Sequence, residues 1–215
     1  MILSRQHGFI FMKTLKTAGT SVEIALSRVC GPEDVITPLP AEDEVLRRER
    51  GGRPPQNYES PPLPHRVTEH IRAGKLRRII GWQEWSSHYR FAIERNPWDA
   101  VVSLYFWVTR NLDDPPTFEE YLAGPRPETL AVRNFQMYHF EGKVAVDRVL
   151  RYEHLADDLA EVWHHLGLPG EPDLPRAKGG ARPAGADYRR FYTEESAARV
   201  AELFAQPIQE MGYSF

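Results

Sequence analysis

Two short stretches of this chain combine side chains suited to gripping a multiply charged anion. The first is Lys13-Thr14-Leu15-Lys16-Thr17-Ala18-Gly19-Thr20-Ser21. If it joins a strand to a helix, its backbone amides lie at the positive end of the helix dipole, where anions bind. Gly19 allows close backbone approach, Thr17, Thr20 and Ser21 offer hydroxyl donors, and Lys16 supplies full charge. A polar turn with no ligand would use the same residues, so this stretch alone does not decide. The second is Arg95-Asn96-Pro97-Trp98-Asp99-Ala100-Val101-Val102-Ser103. Arg95 closes a candidate strand, where α/β folds place ligands. Ser103 stands about 200° around the following helix from Val101, off the core-facing stripe. Taken singly, a surface ion pair and an exposed helical serine would explain them. Together, in this register behind the first loop, they read as a second anion grip. For proton removal the chain has eight histidines to draw on. Histidine is the commonest side chain for that work.

These residues need elements to position them. Residues 8–13 read as a short buried strand, rich in Phe and Ile. Val22, Ala25, Leu26 and Val29 then recur at helical spacing, and Thr20-Ser21-Val22-Glu23 matches a capping box at the helix start. Residues 31–66, with eight prolines, Gly51-Gly52 and a charged run from Glu42 to Arg53, predict a loop-rich insertion. It would be a solvated excursion, or a lid and acceptor-binding region. A short helix is predicted over Val67 to Ala73 and a second strand over Arg90 to Arg95. Asn96 then serves as N-cap and Pro97 as the first helical residue, with Val101, Leu104, Tyr105 and Val108 on one stripe. A third strand fits Arg148 to Arg151, followed by a helix carrying Leu155, Leu159, Val162, Trp163 and Leu166. The last helix starts near Thr193 and should kink at Pro207. The alternation predicts a single α/β domain over residues 1–215, a central parallel sheet of roughly four or five strands flanked by helices.

Composition narrows the function classes. Hydrophobic residues make up 41% and charged residues 27% of the 215, a globular balance with enough apolar material for a core. A net charge of −3 gives no broad attraction for nucleic acid or anionic membrane, so an anionic ligand needs a local site. No stretch approaches the roughly 18 apolar residues of a membrane span. The first residues are too few for a signal-peptide core, and Cys30 is the sole cysteine, so a complete cytoplasmic chain is expected. His154, His164 and His165 with Asp158 and Glu161 show no ligand spacing, so no metal is expected. Trp82, Trp85, Trp98 and Trp107 read as core or as acceptor-cleft lining.

A nucleoside-triphosphate loop of the form Gly-x-x-x-x-Gly-Lys-Ser/Thr would need glycine where this chain has Ile10 and Leu15. Instead, Lys16-Thr17-Ala18-Gly19-Thr20-Ser21 resembles the 5′-phosphosulfate loop of sulfotransferases, whose second common form reads Lys-Thr-Ala-Gly-Thr-Ser. Leu15 departs from it, proline being usual there. Arg95 to Tyr105 resembles the family's second signature, with an arginine and a serine eight positions later, although Glu94 stands where an apolar residue is usual. Pro64 to Ile71 is similar to the Lys-His-Ala-x-x-x-x-Ile segment of bacterial and carbohydrate members, with Pro64 replacing lysine. Gln136 and the run Val146 to Leu155 look like the third strand and an Arg-Tyr-Glu-x-Leu signature.

The resemblance implies a fold like that of P-loop nucleotide kinases. It further implies transfer of a sulfuryl group from 3′-phosphoadenosine-5′-phosphosulfate (PAPS) to a hydroxyl on a carbohydrate or other small-molecule acceptor. Under it, Lys16 acts on the leaving phosphate, and Lys16, Thr17, Ala18, Gly19, Thr20 and Ser21 hold the 5′ end. Arg95 and Ser103 hold the 3′-phosphate, and His65 is the general base, with His70 as second candidate. Lys178-Gly179-Gly180-Ala181-Arg182 would bring Lys178 and Arg182 over the nucleotide, or is a solvated basic loop. Two rivals remain at this point: a small-molecule kinase with a degenerate loop, and a non-catalytic nucleotide-binding module.

Overall fold

A strand covered on both faces must be apolar at successive positions, and Phe9-Ile10-Phe11-Met12 is. The computed structural model describes residues 1–175 and 186–215. Its strands are β1 (Ile2–Ser4), β2 (Phe9–Met12), β3 (Val35–Ile36), β4 (Tyr89–Glu94), β5 (His139–Phe140), β6 (Lys143–Val144) and β7 (Arg148–Arg151). Five of them form one sheet in the order β3-β1-β2-β4-β7, while β5 and β6 make a separate hairpin. β2, β4 and β7 are parallel, as the alternation with helices predicts. The expectation of a parallel sheet fails for the other two strands, which pair antiparallel. The cause is local for β1: only Arg5 to Gly8 separate it from β2, and so short a link permits only a hairpin. Gly8 takes the left-handed φ of 65° that the turn needs.

The described chain forms two compact units, residues 1–94 with 136–177 and residues 95–135 with 178–215. The first contains the sheet, and strand alternation divides its core. Ile2, Phe9, Phe11, Phe91, Ile93 and Leu150 face α1 (Gly19–Ser27) and α7 (Leu155–His165). Leu3, Ile10, Met12 and Ala92 pack instead with Leu63, Val67, Ile71 and the apolar side of α3 (Ala73–Ser87). The 31–66 segment is neither a solvated excursion nor wholly loop. It supplies β3 and α2 (Ala41–Glu49), and Asp34, Asp43 and Arg47 within it are buried. Asp34 alone accepts from Ser4 Oγ at 2.8 Å and from the amides of Arg5 and Gly31 at 2.7 and 2.8 Å. The short helix expected over Val67 to Ala73 is absent, and α3 begins at Ala73. Main-chain groups there bond elsewhere: Val67 N to Tyr58 O at 2.8 Å, and Glu69 O to the Met1 amine at 3.3 Å.

The second unit is helical among its described residues: α4 (Pro97–Thr109), α5 (Phe118–Ala123), most of α6 (Arg126–Tyr138), α8 (Glu194–Leu203) and α9 (Ala205–Met211). Asn96 caps α4 as expected, accepting from the amides of Trp98 and Asp99. The buried face of α4 is Trp98, Ala100, Val101 and Val102, leaving Leu104, Tyr105 and Val108 of the predicted stripe half-buried. Tyr105 and Tyr192 meet Phe118 edge-on at 5.3 and 5.0 Å between ring centres. Thr193 caps α8, and the helix breaks at Phe204. Pro207 explains the break, since its ring excludes the carbonyl four residues earlier, at Leu203.

Candidate active site

The phosphate-loop candidate lies between β2 and α1, at the C-terminal end of a parallel strand, where α/β sheets bind ligands. Two of its residues adopt left-handed backbone, Lys16 at φ 65° and Ala18 at φ 59°. For a side-chain-bearing residue that conformation costs about 1–2 kcal/mol, and it concentrates at ligand sites. A nest forms where left- and right-handed residues alternate, and the two left-handed positions here flank Thr17. The first intrahelical bond of α1 runs from Val22 N to Ala18 O at 3.2 Å, so the amides before it lie at the positive end of the dipole. The predicted capping box is not formed: Ala18 is the N-cap and makes no side-chain bond, and Thr20 lies inside the helix.

Within the loop the side chains divide. Thr17 is fully buried, and its hydroxyl pairs with Thr14 Oγ1 at 2.8 Å, while Thr14 also donates to Ile93 O. Thr14 therefore ties the loop to β4 with Thr17 bracing it, and the main chain of Thr17 is what remains for a ligand. Lys16 is half-buried, and Thr20 and Ser21 are buried. Gly19 is needed for close approach. A Cβ there would stand 2.6 Å from Lys13 Cγ, near the root of a side chain held at its far end. Gly19→Ala should accordingly lower the melting temperature by several degrees, the overpacking cost being about 1–3 kcal/mol. An unchanged thermal melt would show that the loop has room to spare.

Lys13 is the residue whose role the sequence concealed. Its side chain is 4% exposed, and its Nζ lies 2.7 Å from Glu23 Oε2 and 2.7 Å from Glu69 Oε2. Glu23, read as a capping residue, is fully buried and bonds the Met1 amine and Thr37 as well. Burial alone would raise the Glu23 carboxyl, but the Met1 amine and Lys13 outweigh it and hold it at about 2. Burial likewise opposes charge on Lys13, yet Glu23 and Glu69 raise its pKa. No local signal marks this pair, because Lys13 and Glu23 meet only once β2 and α1 are packed.

His70 borders the same cluster. Its Nδ1 lies 2.9 Å from the carbonyl of Lys13, and its Nε2 lies 3.7 Å from Glu69 Oε1. A carbonyl only accepts, so Nδ1 carries the proton and the neutral ring keeps its lone pair on Nε2. Burial pushes the ring down to about 4, against the pull of the Lys13 carbonyl and Glu69. His65 is exposed, and among the described residues no hydrogen bond orients its ring.

The second signature falls in the helical unit. Arg95 is buried, and its Nε and Nη2 donate to Asp99 Oδ2 at 2.9 and 2.7 Å. Ser103 is half-buried on α4. Glu94, which stands where the resemblance has an apolar residue, is buried and accepts from Tyr138 Oη at 2.9 Å. Lys178 and Arg182 lie outside the described residues. Of the tryptophans, Trp85 and Trp98 are buried and Trp82 is 65% exposed. Among the described residues no group of three or more His, Cys, Asp or Glu could hold a metal, and no helix is long and apolar enough to cross a membrane.

No protein-family model matches the chain. An uncharacterised protein of Archaeoglobus fulgidus is 31% identical over 118 residues, which cover 47% of this chain and 87% of that protein. Among solved structures, a sulfotransferase from Alicyclobacillus acidocaldarius is similar over 98% of this chain and 100% of that one, at 17% identity and a TM-score of 0.39.

Proposed function

We propose that this chain, which belongs to one family with the Archaeoglobus fulgidus protein, is a sulfotransferase that carries a sulfuryl group from PAPS to an acceptor hydroxyl. The observation that carries the reading is the loop from Lys16 to Ser21, whose sequence matches the 5′-phosphosulfate loop and whose backbone is left-handed at Lys16 and Ala18. A loop strained at two positions and opening a helix suits a phosphate better than a plain turn would. PAPS, when bound, supplies the sulfuryl group and an anionic phosphate leaving group. Lys16 and the amides of Thr17 to Ser21 would hold the 5′ end and stabilise charge building on the departing oxygen. Arg95 and Ser103 would hold the 3′-phosphate, with Lys178 and Arg182 as further contacts. Residues 1–215 would then act as one such transferase domain with the topology of nucleotide kinases. A carbohydrate or other small-molecule acceptor is our choice, and no metal is required, a sulfuryl group being less charged than a phosphoryl.

Our base is His70 rather than His65. The resemblance gives the role to His65, but His70 is neutral, is fixed in one tautomer by the Lys13 carbonyl, and borders the loop's first residue. A proton acceptor must be oriented before its basicity counts.

Titration calorimetry tests the assignment. The protein should bind adenosine 3′,5′-bisphosphate without magnesium and more tightly than ATP with magnesium. Arg95→Ala should weaken the bisphosphate by about tenfold to a hundredfold, the worth of charged hydrogen bonds, and leave adenosine 5′-phosphate unaffected. Preference for magnesium ATP would make the protein a kinase. Binding of the bisphosphate with no transfer across an acceptor panel would make it a binding module.

A further inference from the structure

Glu69 has no part in the transfer outlined above, yet one carboxylate oxygen faces Lys13 Nζ at 2.7 Å and the other faces His70 Nε2 at 3.7 Å. Nε2 is the nitrogen left with the lone pair, so Glu69 sits beside the atom that would receive a proton. Resting on the reading of His70 as base, we propose that Lys13 holds Glu69 in place as the counterion of the imidazolium that His70 becomes during transfer. In that step the acceptor oxygen bonds sulfur and its proton passes to His70 Nε2. The bond from sulfur to the 5′-phosphate oxygen breaks, with the electron pair leaving on the phosphate. His70 ends cationic, and Glu69 is the anion nearest it. Glu69 is thus a positioning residue, acting through His70.

The arrangement favours this over a purely structural ion pair in two ways. Glu69 gives only one oxygen to Lys13, which Glu23, itself shared with the Met1 amine, also pairs at 2.7 Å, and its other oxygen is turned to His70. Glu69 also remains 34% exposed while Glu23 is fully buried, so of the two carboxylates on Lys13 only Glu69 is within reach of a ligand. The charged groups around His70 are Glu69 from its own segment, Lys13 from the end of β2 and the Met1 amine from β1, with Glu23 of α1 behind Lys13. Of these only Glu69 approaches the working nitrogen as an anion. Burial and the two cations lower the ring's proton affinity, and Glu69 opposes them.

The test is the His70 titration, followed by NMR in wild type, Glu69→Gln and Glu69→Asp. The wild-type ring should titrate at about 4. Glu69→Gln should lower this by about one unit or more, the usual effect of an opposite charge at this range, and Glu69→Asp should recover part of the shift. Where acid unfolding intervenes, Lys13→Gln provides the second background. Loss of that cation should move the titration upward into a milder range, and adding Glu69→Gln should bring it down again. In turnover, Glu69→Gln should lower kcat more than it raises KM and move the acid limb of kcat/KM to lower pH. The same His70 titration with and without Glu69, on either background, overturns the proposal. Because the titration needs no substrate, a shifted titration in a protein that transfers nothing condemns the sulfotransferase reading alone. An unshifted one in an active enzyme condemns only the counterion.

Discussion

Lys16→Ala should slow sulfuryl transfer by about 10²–10³-fold, the loss typical when one donor to developing charge is removed. The effect should fall mainly on kcat, because the charge that Lys16 meets grows only as the bond to the leaving phosphate breaks. Lys16→Gly sharpens the test. The left-handed φ of 65° burdens lysine and alanine but not glycine, so the glycine variant should be at least as stable as wild type. A stable Lys16→Gly protein that is as slow as Lys16→Ala separates chemistry from loop shape. If the glycine variant kept wild-type turnover, the amine would have no part in transfer, and the strain at this position would need another cause.

The second large effect concerns the two histidines. His70→Ala should lower turnover by about 10²–10⁴-fold, while His65→Ala should change it by no more than about twofold. The contrast follows from orientation: His70 is anchored through Nδ1 at 2.9 Å to the Lys13 carbonyl, and His65 is exposed. With the ring held at about 4, the base stays neutral through the whole physiological range, so wild-type activity should be flat from about pH 6 to 8 on the acid side. Steady-state rates for the two variants decide between them. The reverse ranking would return the role of base to His65, as the resemblance has it, and would remove the ground for a counterion at Glu69.

What could be read from the chain was whatever it writes locally. The apolar run at Phe9 to Met12, the Asn96-Pro97 helix start and the Thr193 cap each depend on neighbours within a few residues, and each appears in the structure. The loop from Lys16 to Ser21 was legible for the same reason. Partnerships across distance were not. Glu23 fits a capping pattern by spacing, but its true partners, Lys13 and the Met1 amine, reach it only after β1 and β2 have packed on α1. β1 and β3 span three and two residues, too few for periodicity to show. The run from Pro32 to Pro64 reads as loop by composition, although Arg47 within it is fully buried and bonded to Glu44 at 2.8 Å. His70 was legible as a candidate but could not be ranked above His65, because the carbonyl that orients it comes from 57 residues away.

The two-residue length of β3 bears on how the molecule behaves in concentrated solution. A long unpaired sheet margin is a template onto which a second chain can add, the first step toward aggregation. Here Ile36 meets Gln56 in a single bridge, with both bonds at 3.0 Å, so little backbone is left open beyond β3. On the far side, β7 begins and ends in arginine, and Asp158 takes the amide of Arg151 at 2.7 Å. Among the described residues both margins of this sheet are short, and each is met in part by the chain itself, which limits how much open strand a second molecule could extend.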